Sequence, residues 1–375
     1  MSEVLIGSII REILKKSFLY GEGSSGIKSK SSKLSNEDKI KKASGWYQSE
    51  NLVMVLGAGA SASYGLPDWN TLLQKLLLVP IGSEGDVSEG DSDKAGFLAK
   101  TFSQVFEPNS LVAARYLNNH FRETRPGANL AFENAIRDAL YGAKKDNEDS
   151  PLLKEVRRFC IAPGKSPNLN CIITYNYDDL VEKCLKKIEV EIPFASIYAP
   201  GMKPAANELP IYHVHGYLPE GGNITHKNKV VLSEDEYHRQ YSDVYGWRNL
   251  VQINKFKDYN CVFIGVSFSD PNLRRLLDIS RHERGDNEIH HICFKRRQSV
   301  ARVRQRLERV VSDNKEILGD HGLTSDALDE AVPELIKMIE RFEESDASSF
   351  GVGVVWVDSH DEIPAFLKSI RSSNK

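Results

Sequence analysis

Polar clusters in this sequence follow short apolar runs, and their residue types suit a nucleotide site. The first is Gly57-Ala58-Gly59-Ala60-Ser61-Ala62, directly after Leu52–Leu56. Gly57, Gly59 and Ala62 have the spacing G-x-G-x-x-A. Glycines there permit a tight turn and let backbone N–H groups approach a pyrophosphate at a helix N-terminus. A hydride-transferring dehydrogenase also needs an acid about 20 residues on, at the end of a second strand. Here Leu76-Leu77-Leu78-Val79 and then a loop occupy that region. The spacing therefore points to a nucleotide-phosphate site and away from hydride transfer. Gly65-Leu66-Pro67-Asp68-Trp69 follows, either as a loop over the mouth of that site or as an ordinary proline turn.

The next cluster is Thr174-Tyr175-Asn176-Tyr177-Asp178-Asp179. Asn176 and Asp178 are one residue apart, so both can address one ligand. Alternatively one of them caps the helix that starts at Asp179. Tyr212-His213-Val214-His215-Gly216 places two histidines on one strand face. No further ligands at metal spacing stand beside them, so no metal is expected. A single histidine with a near-neutral pKa suits a general base. The alternative, a satisfied core histidine, weighs more for His213 than for His215. Gly265-Val266-Ser267-Phe268-Ser269-Asp270-Pro271 closes the set. Gly265 and Ser267 suit a ribose or phosphate, while Asp270-Pro271-Asn272 suits a helix start with proline in its first turn. Both readings can hold together.

These clusters need elements that bring them to one place. Apolar runs at 52–56, 171–175, 211–215, 229–232, 261–265, 290–294 and 352–357 read as buried strands with helical patterns between them. That alternation predicts an α/β fold, a doubly wound, Rossmann-like parallel sheet. Each cluster then falls at a carboxyl end, where open α/β sheets bind ligands. A helical insertion is expected at about 83–165, between the first two core strands. It starts with an acidic Gly/Ser loop at 83–93, and its stripes are Phe97–Phe106 and Leu130–Leu140. Ser233–Glu236 has capping-box spacing and starts a helix after the 229–232 strand. Helices and a last strand fill 298–375, with Pro333 expected to kink or restart a helix. An amphipathic helix is expected over 3–19, followed by a Gly/Ser/Lys-rich stretch from Gly21 to Lys42. The division is thus an N-terminal helix and flexible linker at 1–45, then one domain at 46–375.

Composition narrows the function classes. The chain has 375 residues, 41% hydrophobic and 27% charged, enough to bury a sizeable core. A formal net charge of -3 argues against an electrostatic nucleic-acid binder. The basic stretch from Lys295 to Arg309 reads as a solvated helix face rather than a nucleic-acid site. The five cysteines form no CxxC pair, so reduced thiols in a cytoplasmic protein are expected and a zinc ribbon is not. The first residues lack a basic region before their apolar stretch, and no run reaches about 18 apolar residues. Neither a signal peptide nor a membrane span is expected.

Taken in order, GAGAS, GLPDW, TYNYD, VHG and GVS resemble the sirtuin pattern across roughly residues 50–295. The resemblance implies a sirtuin-type fold that binds NAD+ and breaks its nicotinamide–ribose bond. It implies that Gly57, Ala58, Gly59, Ala60, Ser61, Pro67, Asp68, Trp69, Thr174, Gly265 and Ser267 bind the nucleotide. Ala58, Ser61 and Ser267 would contact phosphates or ribose. Asn176 would hold ribose hydroxyls or a water, Asp178 the nicotinamide carboxamide, and His215 would take a proton from a ribose hydroxyl. Sirtuin deacylases carry paired zinc-binding cysteines, which are missing here. Trp69-Asn70 also stands where they usually have Phe-Arg. Water then becomes the acceptor, and the products are nicotinamide and ADP-ribose. The pattern looks like the sirtuin-like NADases of bacterial antiphage defence, which deplete NAD+. It is most like the separate subunit that assembles with a HerA-type ATPase, and it implies a homo-oligomer. The 3–19 helix, the 94–160 segment and the basic stretch are candidates for controlling the activity. A protein deacylase or ADP-ribosyltransferase remains an alternative, as does a non-catalytic NAD- or ADP-ribose-sensing assembly subunit.

Overall fold

The computed structural model describes residues 34–83, 110–124, 130–142, 144–145, 150–161, 168–187, 192–286, 288–313 and 325–372. The expected 3–19 helix, residues 84–93 of the acidic loop and the Phe97–Phe106 stripe lie outside the described residues.

Seven strands form one sheet: β1 Leu52–Leu56, β2 Leu169–Thr174, β3 Phe194–Ile197, β4 Leu209–His213, β5 Asn260–Ile264, β6 His291–Arg296 and β7 Val352–Val357. Their order is β3-β4-β2-β1-β5-β6-β7, and all neighbours run parallel. The chain builds outward from β1 on one side and returns through β5 to build the other. That reversal opens a crevice beyond the carboxyl ends of β1 and β5. The register sharpens the point. Leu56 pairs with both Thr174 and Ile264, and Thr174 pairs with His213. Four strands therefore end level, and the residues that follow them enter the crevice together.

Every residue of β1 is buried, because helices cover both faces of a parallel sheet. Its side chains alternate. Leu52, Met54 and Leu56 join one core with Ile172, Ile211 and Ile264. Val53 and Val55 join the other with Ile173, Phe263 and Phe256. All five cysteines are free and buried. Burial pushes the Cys171 and Cys293 thiols up to about 12, which leaves them unreactive.

One expected strand is not a strand. Val230, Val231 and Leu232 are buried, but they cross beneath the turn after β4. The Val231 N–H donates to the His215 carbonyl at 2.7 Å, and the Val231 carbonyl accepts from Tyr177 Oη at 2.7 Å. The place in the sheet goes instead to the edge strand β3. It is half-buried and follows Pro193, so it carries little apolar signal.

The helices are α1 Asn36–Gln48, α2 Trp69–Ser83, α3 Ser110–Thr124, α4 Ala131–Tyr141, α5 Pro151–Cys160, α6 Leu180–Lys186, α7 Glu234–Ser242, α8 Trp247–Asp258, α9 Pro271–Arg284, α10 Val300–Asp313, α11 Ser325–Ser349 and α12 Ile363–Ser372. Helix α1 occupies sequence that reads as linker. Its sparse apolar residues fall on one face: Ile40, Ala43 and Tyr47 are buried, and a Ser35–Asp38 capping box starts it. Lys39 Nζ donates to the Val354 carbonyl at 2.7 Å, tying α1 to the last strand. Helices α2 to α5 lie between β1 and β2. Helix α11 continues through Pro333 without restarting. In the basic stretch, Lys295 pairs with Glu343, Arg297 with Glu340, and Arg304 with Glu308 and Asp329. Among the described residues no helix is long and apolar enough to cross a membrane.

Candidate functional site

The floor of the crevice is backbone packed on backbone. The Gly57 N–H donates to the Ile264 carbonyl at 3.0 Å, and the Gly59 N–H to the Gly265 carbonyl at 3.1 Å. A Cβ on Gly57 would meet the Gly265 oxygen at 2.5 Å, and one on Gly59 would meet Gly265 Cα at 2.7 Å. Gly265 itself has φ +65, a region that favours glycine. These glycines let the β1 and β5 loops touch. The expected helix N-terminus is absent, since two 3₁₀ turns, Ala58–Ala60 and Ala62–Tyr64, follow β1. The Ala60 and Ser61 N–H groups close the first turn, donating to the Gly57 and Ala58 carbonyls at 2.8 and 3.1 Å. The N–H groups of Gly57, Gly59, Ala60 and Ser61 are therefore satisfied within the protein. The first regular helix after β1 is α2. Asp68 starts it by accepting from the Thr71 N–H at 2.8 Å.

Asn176 is not a helix cap. Its backbone N–H donates to Thr174 Oγ1 at 3.0 Å, which turns the side chain back over the glycine loop. Asn176 Nδ2 then donates to the Gly57 carbonyl at 3.1 Å and to Ser61 Oγ at 3.0 Å. Ser61 Oγ in turn donates to Asp178 Oδ2 at 2.8 Å. Asp178 has the helix-start role as well, because its Oδ1 accepts from the Leu180 N–H at 3.1 Å as α6 begins, while Oδ2 takes the Ser61 bond. Burial pushes its carboxyl up to about 6, against the lowering effect of the Ser61 and Leu180 hydrogen bonds.

His215 lies just past β4. Gly216 follows with φ +116, and a Cβ there would meet the Lys229 carbonyl oxygen at 2.6 Å. The imidazole meets Tyr175 edge-on at 4.7 Å and Tyr237 at 5.9 Å. Burial holds its pKa below the ordinary histidine value; Asp270 acts the other way and Arg248 adds to the lowering. The ring is therefore neutral near pH 7, the state a general base requires. His213 faces away. Its Nε2 lies 2.7 Å from Glu182 Oε1, which Ser196 Oγ also reaches at 2.7 Å.

These residues open onto one cavity of about 820 Å³, towards the upper end of ligand-pocket sizes. Gly57, Ala58, Gly59, Ser61, Pro67, Asp68, Trp69, Asn176, Asp178, His215, Gly265 and Ser267 all line it. Two other candidates, Ala60 and Thr174, are buried behind the lining. Ser267 Oγ and Ser269 Oγ lie 2.6 Å apart on the exposed rim. The cavity also takes in Tyr175, Tyr177, Tyr237 and Asp270, and the apolar Leu66, Leu111 and Leu140. The sequence reading missed these as site residues. Tyr237 belongs to no motif, and Asp270 carries an evident signal only as a helix cap. Among the described residues no three His, Cys, Asp or Glu side chains gather as a metal site.

Comparison with known proteins fits this arrangement. Residues 170–316 match the family model described as the SIR2-like domain. That stretch is similar to the family's domain and makes up less than half of the chain. It holds Asn176, Asp178, His215, Gly265 and Ser267, while the glycine loop precedes it. Among curated proteins, the chain is 27% identical over 199 residues to NAD(+) hydrolase ThsA of Enterococcus faecium, covering 53% of this chain and 37% of that one. It is 26% identical over 255 residues to NAD(+) hydrolase ThsA of Cytobacillus dafuensis, covering 66% of this chain and 42% of that one. The chain thus spans about two fifths of the length of the curated relatives it matches. A mutant Sir2 homologue solved with ADP-ribose aligns over 80% of this chain and 97% of its own, at 15% identity and a TM-score of 0.32. That likeness is too distant to bear on the site.

Proposed function

We propose that this protein is an NAD+ glycohydrolase that splits the nicotinamide–ribose bond and passes the ribose to water. The observation that carries the reading is that Asn176, Asp178 and His215, from two adjacent strand ends, share one cavity with the glycine loop. Similarity to two proteins named NAD(+) hydrolase supports it. Cleavage leaves an oxocarbenium-like ribose, so the reaction needs orientation and nearby polar groups more than a strong nucleophile. Asn176 positions the ribose hydroxyls or the attacking water, Asp178 holds the carboxamide, and neutral His215 accepts a proton. Ala58, Ser61 and Ser267 contact the phosphates or ribose, and the glycines let the nucleotide approach the loop closely.

The test is to incubate the protein with NAD+ and follow nicotinamide and ADP-ribose by chromatography. Asn176→Ala and His215→Ala are expected to lose about 10²–10⁴-fold in turnover while keeping their circular dichroism. Full activity in both variants would show that the site is wrong. ADP-ribosylated protein or deacylated peptide, detected by mass spectrometry, would move the reading to group transfer.

The wider role follows the resemblance to antiphage NADases. The protein acts in the cytoplasm as a homo-oligomer that depletes NAD+ on activation, with a HerA-type ATPase as its partner. Light scattering, and NAD+ cleavage with and without the co-expressed ATPase, test this. A monomer with full activity on its own would reject it.

A further inference from the structure

We infer that Asp270 is a positioning residue for His215: its carboxylate faces the imidazole, selects the tautomer and stands opposite the charge the ring gains with a proton. The inference deepens the proposed function and rests on His215 acting as its base. Asp270 Oδ2 lies 3.3 Å from His215 Nε2. That nitrogen is buried and makes no hydrogen bond among the described residues. An unpaired buried ring nitrogen is costly, and a small ring movement would pair it with Asp270. The carboxylate is held for this. Tyr237 Oη donates to the same Oδ2 at 2.7 Å, and the Leu273 N–H donates to Oδ1 at 2.8 Å as α9 begins.

The charges around His215 leave this work to one group. Tyr175, beyond β2, and Tyr237, on α7, stay neutral, because burial pushes both phenols well up. Arg248, on α8, opposes a positive ring, and among the described residues Asp270, at the start of α9, is the charge that favours one. With Nε2–H turned to Asp270, Nδ1 carries the lone pair that takes the proton. In the reaction the C1′–N bond breaks and its electron pair stays on nicotinamide. A water oxygen bonds to C1′. The proton released by the hydroxyl or the water passes to His215 and then to solvent. NAD+ and water thus give nicotinamide, ADP-ribose and one proton.

The test compares the full chain with Asp270→Asn, which keeps the helix cap and the side-chain shape but removes the charge. One readout is the titration of His215 by NMR of ¹⁵N-labelled imidazole. The other is kcat and KM for NAD+ against pH. In the variant, the proton affinity of His215 is expected to fall about tenfold or more. Turnover is expected to drop with KM little changed, and its acid limb to move to lower pH. An unchanged His215 titration would overturn the inference. If Asp270→Asn does not fold, Tyr237→Phe decides. Removing the hydroxyl that shares Oδ2 should raise the proton affinity of His215, and an unchanged or lower value rejects the inference. The NMR readout needs no turnover, so a protein that cleaves no NAD+ would refute the proposed function and leave this test standing.

Discussion

Asn176 and Ser61 are hydrogen-bonded across the β1–β2 pair, Nδ2 to Oγ at 3.0 Å. The bond joins the two loops that flank the cavity, and the same hydroxyl passes its own proton towards Asp178 at 2.8 Å. Ser61 is therefore a hinge pin between a neutral amide and a buried acid. Ser61→Ala leaves Asp178 Oδ2 without its donor and should lower stability by about 1–3 kcal/mol. Urea unfolding checks this, and a variant as stable as the parent would remove Ser61 from the network.

The Asp178 carboxyl is pushed up to about 6 from an ordinary 3.8, so the fold favours its neutral form. Its contribution to stability is complete below 3.8 and is lost as pH rises through about 6. Asp178→Asn should abolish that loss and stabilise the protein near pH 8 by on the order of 2 kcal/mol. Nicotinamide release by the variant should fall. Thermal unfolding at several pH values reads the first effect, and parallel pH profiles for both proteins would contradict it.

Gly265 and Gly285 both adopt positive φ, +65 and +73, but differ in surroundings. A Cβ at Gly265 would lie 2.5 Å from the Ala60 nitrogen, whereas at Gly285 there is open space. Gly285→Ala should cost about 1–2 kcal/mol from backbone strain alone. Gly265→Ala adds a backbone clash beneath the cavity and should cost clearly more. Equal denaturation midpoints for the two variants would mean that the β1 and β5 loops do not need their close approach.

Glu182 and His213 form a buried pair at 2.7 Å, next to the site but turned from it. Burial works against the charge on Glu182, yet His213 and Ser196 hold its pKa below the ordinary value. Its stabilisation is thus present above 4.5 and is lost as pH falls through the lowered value. Glu182→Ala should destabilise the protein by about 3–5 kcal/mol, since it strands its partner. With His213→Ala in a double-mutant cycle, the two losses should be strongly non-additive. Additive losses would show that the pair does not act as a unit.

The buried strands were legible because a parallel sheet covered on both faces demands uninterrupted apolar runs, and Leu52–Leu56 and Cys261–Ile264 are such runs. Segment 229–232 misled for the same reason. Burial makes a run apolar whether or not it joins the ladder, and Val231 bonds a turn instead. Helix α1 was hidden because a few buried positions, Ile40, Ala43 and Tyr47, anchor a segment otherwise rich in lysine and serine.

By itself the sequence determined the polar residues at the strand ends and their order along the chain. Asn176, Asp178, His215, Gly265 and the glycine loop are recognisable one short segment at a time, because turn glycines and strand-end polar groups obey local rules. Only the tertiary structure decided which of them meet. The level ends of β1, β2, β4 and β5, the contact of Gly57 with Gly265, and Asp270 and Tyr237 set against His215 join residues far apart in the chain. Such contacts depend on register and on the reversal of strand order between β1 and β5, and neither leaves a mark on any single stretch of sequence.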